Sequence, residues 1–197
     1  MKFDFIPIDY DYFDFEGRNY IKIIGRNEKG KRICVIDDCD VYLWAILNGK
    51  IKEKAINKLI EEIGKIKLDI KGRQTRVEKV ELHKKNFLGE EVNALKIFAT
   101  NYKDLHDIAN ELGMKEIDKR RGYDLGFITH YIIEKKLIPF NWYEIEGPVL
   151  TKQDFGGISE IDVDFCINLE KHKQISDKKF SPKVLAFDIE TDEFRIG

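Results

Sequence analysis

The sequence predicts an α+β fold, and three observations carry that prediction. Near the N-terminus apolar and polar residues alternate with period two, as in half-buried strands. Two later segments carry apolar residues at helical spacing, and two further alternating arms flank Leu88-Gly89 as a β-hairpin would. The chain has 197 residues, 43% hydrophobic and 12% aromatic, with a net charge of -2. That suits one full core and part of a second.

In chain order, the opening segment alternates through Phe3, Phe5, Ile8 and Tyr10, and "NYIKIIGRNEKGKRICVID" reads as two strands around a turn at Asn27 to Gly30. "VYLWAIL", residues 41 to 47, is an apolar run stopped by Asn48-Gly49 and reads as a short buried helix. "IKEKAINKLIEEIGKI" places Ile51, Ala55, Ile56, Leu59, Ile60 and Ile63 on one helical face. The hairpin's second arm carries Val92, Leu95, Ile97 and Phe98. Asp104 then leads a helix with Leu105, Ile108, Ala109 and Leu112 inward and Gly113 as its C-cap, and a strand follows around Lys115 to Asp118. A helix, hairpin, helix and strand in this order fit a ferredoxin-like or RNA-recognition-type unit. "YDLGFITHYIIEKKLIPF" reads as a turn at Gly126, a helix, and a stop before Pro139. A domain boundary is placed near residue 140, giving units 1–140 and 141–197.

Composition excludes several classes. No run of about 18 apolar residues exists, and the acidic N-terminus is unlike a signal peptide, so a cytoplasmic protein without membrane contact is expected. Three cysteines, Cys34, Cys39 and Cys166, lack paired spacing and read as buried thiols rather than a disulfide framework or a zinc site. The 36% charged fraction suits the ion-pair-rich surface of a thermophile protein, although an A+T-rich genome would also favour Lys and Ile.

Chemistry concentrates first in "KVLAFDIETDE", residues 183 to 193. On a strand, Asp188 and Glu190 project from one face about 6.5 to 7 Å apart. Two carboxylates so placed can grip a divalent metal and reach toward a second, the arrangement that hydrolyses phosphodiesters. A bare Asp-x-Glu is more often ordinary solvent-facing chemistry. The longer string is more specific: "LAFDIET" resembles the first exonuclease motif of family B DNA polymerases, and "PIDY", "VEKV", "FLG", "YDLGF" and "YIIEKKLIP" follow the order and near spacing of the archaeal members' N-terminal domain.

The resemblance covers nearly the whole chain and implies an N-terminal domain followed by the first strands of a ribonuclease H-like 3′–5′ exonuclease domain. It implies Asp188 and Glu190 as catalytic metal ligands for Mg2+ or Mn2+, in exonuclease and polymerase sites whose other residues lie beyond Gly197. DNA template and primer, deoxynucleoside triphosphates and the remaining polymerase domains are the implied partners, with a sliding clamp a further candidate. The stretch alone is expected to hold no metal and to be inactive.

Archaeal members use this domain to sense uracil, and often hypoxanthine, in single-stranded template ahead of the active site. The matching positions are Tyr10, Val41, Tyr42, Tyr102, Leu105, Leu125, Gly126, Phe127 and His130. Uracil differs from thymine by one missing methyl group, so a close apolar wall must do the discriminating. Val41, Tyr102 and Gly126 stand where prolines are common in the family, Leu105 replaces a valine, and His130 takes a basic position. Lys115, Lys119, Arg120 and Arg121 beside Tyr123 form a basic cluster suited to a nucleic-acid backbone. Two rival readings are a nonenzymatic single-strand or RNA-binding module and a stand-alone nuclease, which needs further acids after Glu190.

Overall fold

The first reversal is forced by Glu16-Gly17, both at positive φ, which folds β1 (Lys2–Phe15) against β2 (Arg18–Asn27) in antiparallel pairing. The computed structural model describes residues 1–49, 51–151, 154–156, 162–175, 178 and 186. A bulge between Pro7 and Asp9 interrupts the register, so Ile8 turns out to solvent and Ile6 is buried instead. Opposite the bulge, Gly25 lets the backbones close: a Cβ there would stand 2.1 Å from the Ile6 carbonyl oxygen. Asn27 closes the next turn by accepting from the Lys29 and Lys31 amides, and β3 (Arg32–Asp38) pairs with β2.

The reading of residues 41 to 47 as a helix is corrected. They form β4 (Tyr42–Leu47), hydrogen-bonded along both edges. A strand buried on both faces loses its polar alternation, and a short apolar run cannot then be told from a buried helix by periodicity. The expected amphipathic helix is α1 (Glu53–Ile63), which buries Ile56, Leu59 and Ile63 while Ala55 faces solvent. After β5 (Lys67–Ile70), the long hairpin of β6 (Arg73–Phe87) and β7 (Glu90–Ala99) turns at Leu88-Gly89, both at positive φ.

A 3₁₀ turn over Tyr102–Asp104 leads into α2 (Leu105–Glu111), whose Leu105, Ile108 and Ala109 are buried. Leu112 caps it, so Gly113 does not supply the expected left-handed cap. The following strand, β8 (Ile117–Arg121), starts two residues later than read from sequence. It is followed by α3 (Phe127–Glu134), β9 (Tyr143–Glu146), β10 (Phe165–Asn168) and β11 (Lys171–Gln174).

Two sheets result. One has the order β10-β3-β2-β1-β9-β11, the other β5-β6-β7-β4-β8. Among the described strands, β10 and β3 alone pair in parallel, and there Cys166 lies opposite Cys34. All three cysteines are free, with Cys34 buried and the others half-buried. Directly opposed residues share a sheet face, so β4 presents Leu43, Ala45 and Leu47 with Leu95 and Ile97 of β7 to one side. Those side chains join Ile56, Leu59, Ile63, Leu105, Ile108 and Leu112 of the helices in the main core. Among the described residues no helix is long and apolar enough to cross a membrane.

Candidate nucleic-acid interface

Helix α3 joins the two sheets because its side chains point two ways. Phe127 and Tyr131, four residues apart, face the six-stranded sheet. The Phe127 ring lies edge-on to Tyr12 of β1 with centroids 5.6 Å apart and tilted against Tyr102 at 5.3 Å. Tyr131 is fully buried and its hydroxyl donates to Asp37 of β3 at 2.8 Å, whose other partner is Lys135 at 2.7 Å. Burial holds the Asp37 carboxyl above its ordinary range despite these partners.

His130 and Glu134, also four apart, face the five-stranded sheet instead. The His130 ring stands edge-on to Tyr42 of β4 at 4.4 Å. Tyr42 donates to Glu134 at 2.6 Å, and Lys96 of β7 sits 3.7 Å above the Tyr42 ring and 3.7 Å from the same carboxylate. The hydrogen bond from Tyr42, with help from Lys96, holds Glu134 below the usual carboxylate range. Burial and that bond push the Tyr42 hydroxyl well up, so it stays a donor at all ordinary pH.

His130 is only 7% exposed. Burial, with Lys96 adding to it, outweighs Glu134 and depresses its pKa, so the imidazole is neutral near pH 7. The Asp40 backbone beside the ring opposes that depression, while Nε2 is buried without a protein partner, as is the hydroxyl of Tyr10. In the neutral tautomer protonated at Nδ1, Nε2 carries a free lone pair. Desolvation pushes the Tyr10 hydroxyl up to about 12, so it is a neutral donor.

Of the sequence-derived site residues, α3 therefore brings together Val41-Tyr42 with His130, and Tyr102 with Phe127. Tyr10 lies on the same face of β1 as Tyr12 and close to Tyr131 and Tyr143. Leu105 is sealed in the core, whereas Leu125 and Gly126 are exposed at the start of α3. The basic set divides. Lys119 and Arg121 lie opposite Ile46 and Trp44 on the face away from α1 and α2, Arg120 points the other way and donates to the Ala109 carbonyl of α2, and Lys115 is exposed before β8. Asp188 and Glu190 lie outside the described residues, and among the described ones no group of three or more His, Cys, Asp or Glu is placed to hold a metal ion.

Three contributors went unread in the sequence. Tyr12 was signalled by its period-two spacing from Tyr10. Glu134 and Lys96 were not, because solvated helix and strand faces carry such residues routinely.

The two sheets, bridged by a helix whose aromatic side chains pack against both, define an α+β protein. Comparisons narrow this. The model for DNA polymerase family B, exonuclease domain, matches residues 119–196, the stretch that includes Asp188 and Glu190. The chain is 30% identical over 137 residues, 67% of its length, to the DNA polymerase of Desulfurococcus sp. (strain Tok), of which it covers 16%. It is 28% identical over 135 residues to the DNA polymerase of Thermococcus gorgonarius, with the same coverage of 67% and 16%. The fold matches the family B DNA polymerase from the hyperthermophilic archaeon Pyrobaculum calidifontis with a TM-score of 0.69 at 18% identity, over 91% of this chain and 21% of that one. The chain is thus related to archaeal family B DNA polymerases, and it spans about a sixth of the length of the curated relatives it matches.

Proposed function

We propose that the chain is the N-terminal part of a DNA-directed DNA polymerase, in which residues 1–140 hold single-stranded template and sense uracil, and residues 141–197 begin a ribonuclease H-like 3′–5′ exonuclease domain. In this reading β4, α1, β6, β7, α2 and β8 make a ferredoxin-like unit, which the antiparallel order β6-β7-β4-β8 supports. Asp188 and Glu190 would hold Mg2+ or Mn2+ together with acids from later motifs, and the metal would supply Lewis-acid and water-activating chemistry. Template and primer, deoxynucleoside triphosphates and the other polymerase domains are the partners this reading entails, in the cytoplasm.

One observation carries the sensing reading: a buried imidazole nitrogen, His130 Nε2, offers an unused lone pair beside Tyr42. Buried polar atoms nearly always find partners. A lone pair there accepts from an N–H donor, and deamination creates one: uracil carries N3–H where cytosine presents an acceptor. The His130 lone pair would select the deaminated edge, and the Tyr42 ring would then exclude the thymine methyl group by contact. A missing methyl is worth only about 1 to 3 kcal/mol by cavity size alone, so the wall must be stiff.

Fluorescence anisotropy with single strands that differ only in one central dU, dT or dC tests this. Tighter binding of the dU strand is expected, for this chain and for the full-length protein. Equal affinities for dU and dT sink the sensing reading. The polymerase reading is tested separately by the reading frame beyond Gly197, which should encode a second exonuclease motif and polymerase aspartates.

A further inference from the structure

The face of the five-stranded sheet opposite α1 and α2 is neither apolar nor uniformly charged. Register places Trp44 of β4, Phe98 of β7 and Phe87 of β6 on it. A cation lies over each ring. Lys85 stands 4.6 Å from Trp44, Lys79 and Lys96 stand 5.5 and 4.9 Å from Phe98, and Lys119 and Arg121 stand 5.4 and 5.7 Å from Phe87. All three rings are half-buried, so each keeps part of its surface open. Helix α3 covers the Tyr42 end of the face, and a depression of about 520 Å³ lined by Phe87, Lys84 and Lys119 together with Glu90, Glu91 and Asp118 opens at the other.

Charge decides what could lie there. The chain as a whole carries a net charge of -2, yet this face sets five cations against Glu81, Glu90 and Glu134, with Asp118 at its edge 3.9 Å from Lys119. Two of those acids are already engaged, Glu81 with Lys79 and His83 and Glu134 with Tyr42 and Lys96. The surplus is positive and interleaved with flat apolar rings. Duplex DNA has no exposed base faces to stack, and an acidic protein surface has no use for them.

We propose that this face binds single-stranded DNA, with bases stacked on Trp44 and Phe87 and phosphates held by Lys85, Lys119 and Arg121. The proposal rests on the single-strand reading above and extends it from one base pocket to a path. A strand crossing the sheet from the Phe87 end meets Trp44, then Tyr42, and arrives at His130. The cations over the rings need not be displaced, since phosphates lie at the edge of a stacked base and the long Lys stems can swing with them.

The test uses the 197-residue chain and a Trp142→Phe background, which leaves Trp44 as the single tryptophan. An unlabelled dT oligomer should quench Trp44 fluorescence on saturation, and a duplex of the same length should not. In anisotropy with labelled strands, Lys85→Glu with Lys119→Glu should weaken binding about tenfold or more and flatten the salt dependence by about 1.4 in log-log slope, two phosphates' worth. Both residues are exposed, so the folded state should be unaffected by circular dichroism. Phe87→Ser at the hairpin end should weaken binding about tenfold through lost stacking. A proportional loss for dU and dT strands, with their ratio unchanged, supports a path separate from the pocket. An unquenched Trp44, no measurable binding, or full affinity in the charge-reversed variant overturns the proposal, whatever the dU to dT ratio. Equal dU and dT affinities with quenched Trp44 leave the path standing and fail only the pocket.

Discussion

Arg73→Ala is the perturbation with the clearest structural arithmetic. Asp104 has 0% side-chain exposure, and its carboxylate is held by Arg73 through Nε at 2.7 Å and through Nη2, with Thr75 donating to it as well. Removing the guanidinium leaves a buried charge with one hydroxyl partner. Such losses run to about 3 to 5 kcal/mol for fully buried pairs. Arg73 is 34% exposed on its side chain, so water already screens part of the pair and about 3 kcal/mol is the better expectation. For a chain of this size that lowers the melting temperature by about 6 to 12 °C.

The pH dependence gives a second handle. Burial alone would raise the Asp104 pKa, but the hydrogen bonds from Arg73 and Thr75 outweigh it and depress the folded value. A depressed carboxylate stabilises above its unfolded pKa of about 3.9 and loses that contribution as pH falls through the lower folded value. The gap between wild type and Arg73→Ala should therefore be full at neutral pH and shrink below about pH 4. Replacing the pair together, Arg73→Met with Asp104→Leu, should recover most of the loss. Urea or thermal unfolding at several pH values checks all three. A variant within about 0.5 kcal/mol of wild type at pH 7 would refute the reasoning. Because Asp104 closes the turn that carries Tyr102, Arg73→Ala should, under the proposed sensing function, also weaken selection of dU strands.

Phe127, 2% exposed between Tyr12 and Tyr102, should lose about 3 to 5 kcal/mol as Phe127→Ala and about 1 to 2 as Phe127→Leu, read as shifts of the urea midpoint. His130, its pKa lowered by burial and by Lys96 against the opposing Glu134 and Asp40, stabilises above the unfolded value of about 6.5 and loses that contribution as pH falls through its folded pKa. Melting between about pH 7.5 and about pH 5.5 should show this slope, and His130→Gln should flatten it. Leu88, 86% exposed at φ 54° before Gly89 at φ 91°, should gain about 0.5 to 1 kcal/mol as Leu88→Asn, because Asn-Gly suits a two-residue turn of this hand.

Legibility followed the physics of each element. The β6–β7 hairpin and α1 were readable because one face of each meets solvent, which stamps period two or 3.6 on the sequence. β4 was not, since pairing on both edges and burial on both faces erase the period. The same burial hid the sheet's outer face: Trp44 looked like one more core residue of "VYLWAIL", and its neighbours Lys85, Lys96 and Arg121 come from three other strands. The family's motifs brought Tyr42, Phe127 and His130 into view, but nothing in the sequence foretold that α3 would split its side chains between two sheets. The metal pair expected at Asp188 and Glu190 lies outside the described residues.

At the three positions where the family commonly carries proline, the wall of the proposed base pocket must be stiffened by other means. At Val41 the carbonyl accepts from the Ala99 amide at 2.8 Å, tying the entry of β4 to β7. At Tyr102 the amide donates to the Asn19 side chain at 2.6 Å, a bond that proline, with no N–H, could not make. Gly126 sits at φ -61° and ψ 141° ahead of α3, within the range to which proline's ring is locked. Two proline substitutions should therefore differ in sign. Gly126→Pro should stabilise by about 0.4 to 1 kcal/mol by restricting the unfolded chain, and should sharpen the preference for dU. Tyr102→Pro should destabilise by about 1 to 3 kcal/mol, because the buried Asn19 loses its donor, and should blunt that preference. Unfolding curves and dU to dT affinity ratios on the two variants decide it: a destabilising Gly126→Pro, or a neutral Tyr102→Pro, would mean that the stiffness of the wall resides elsewhere than in these backbone positions.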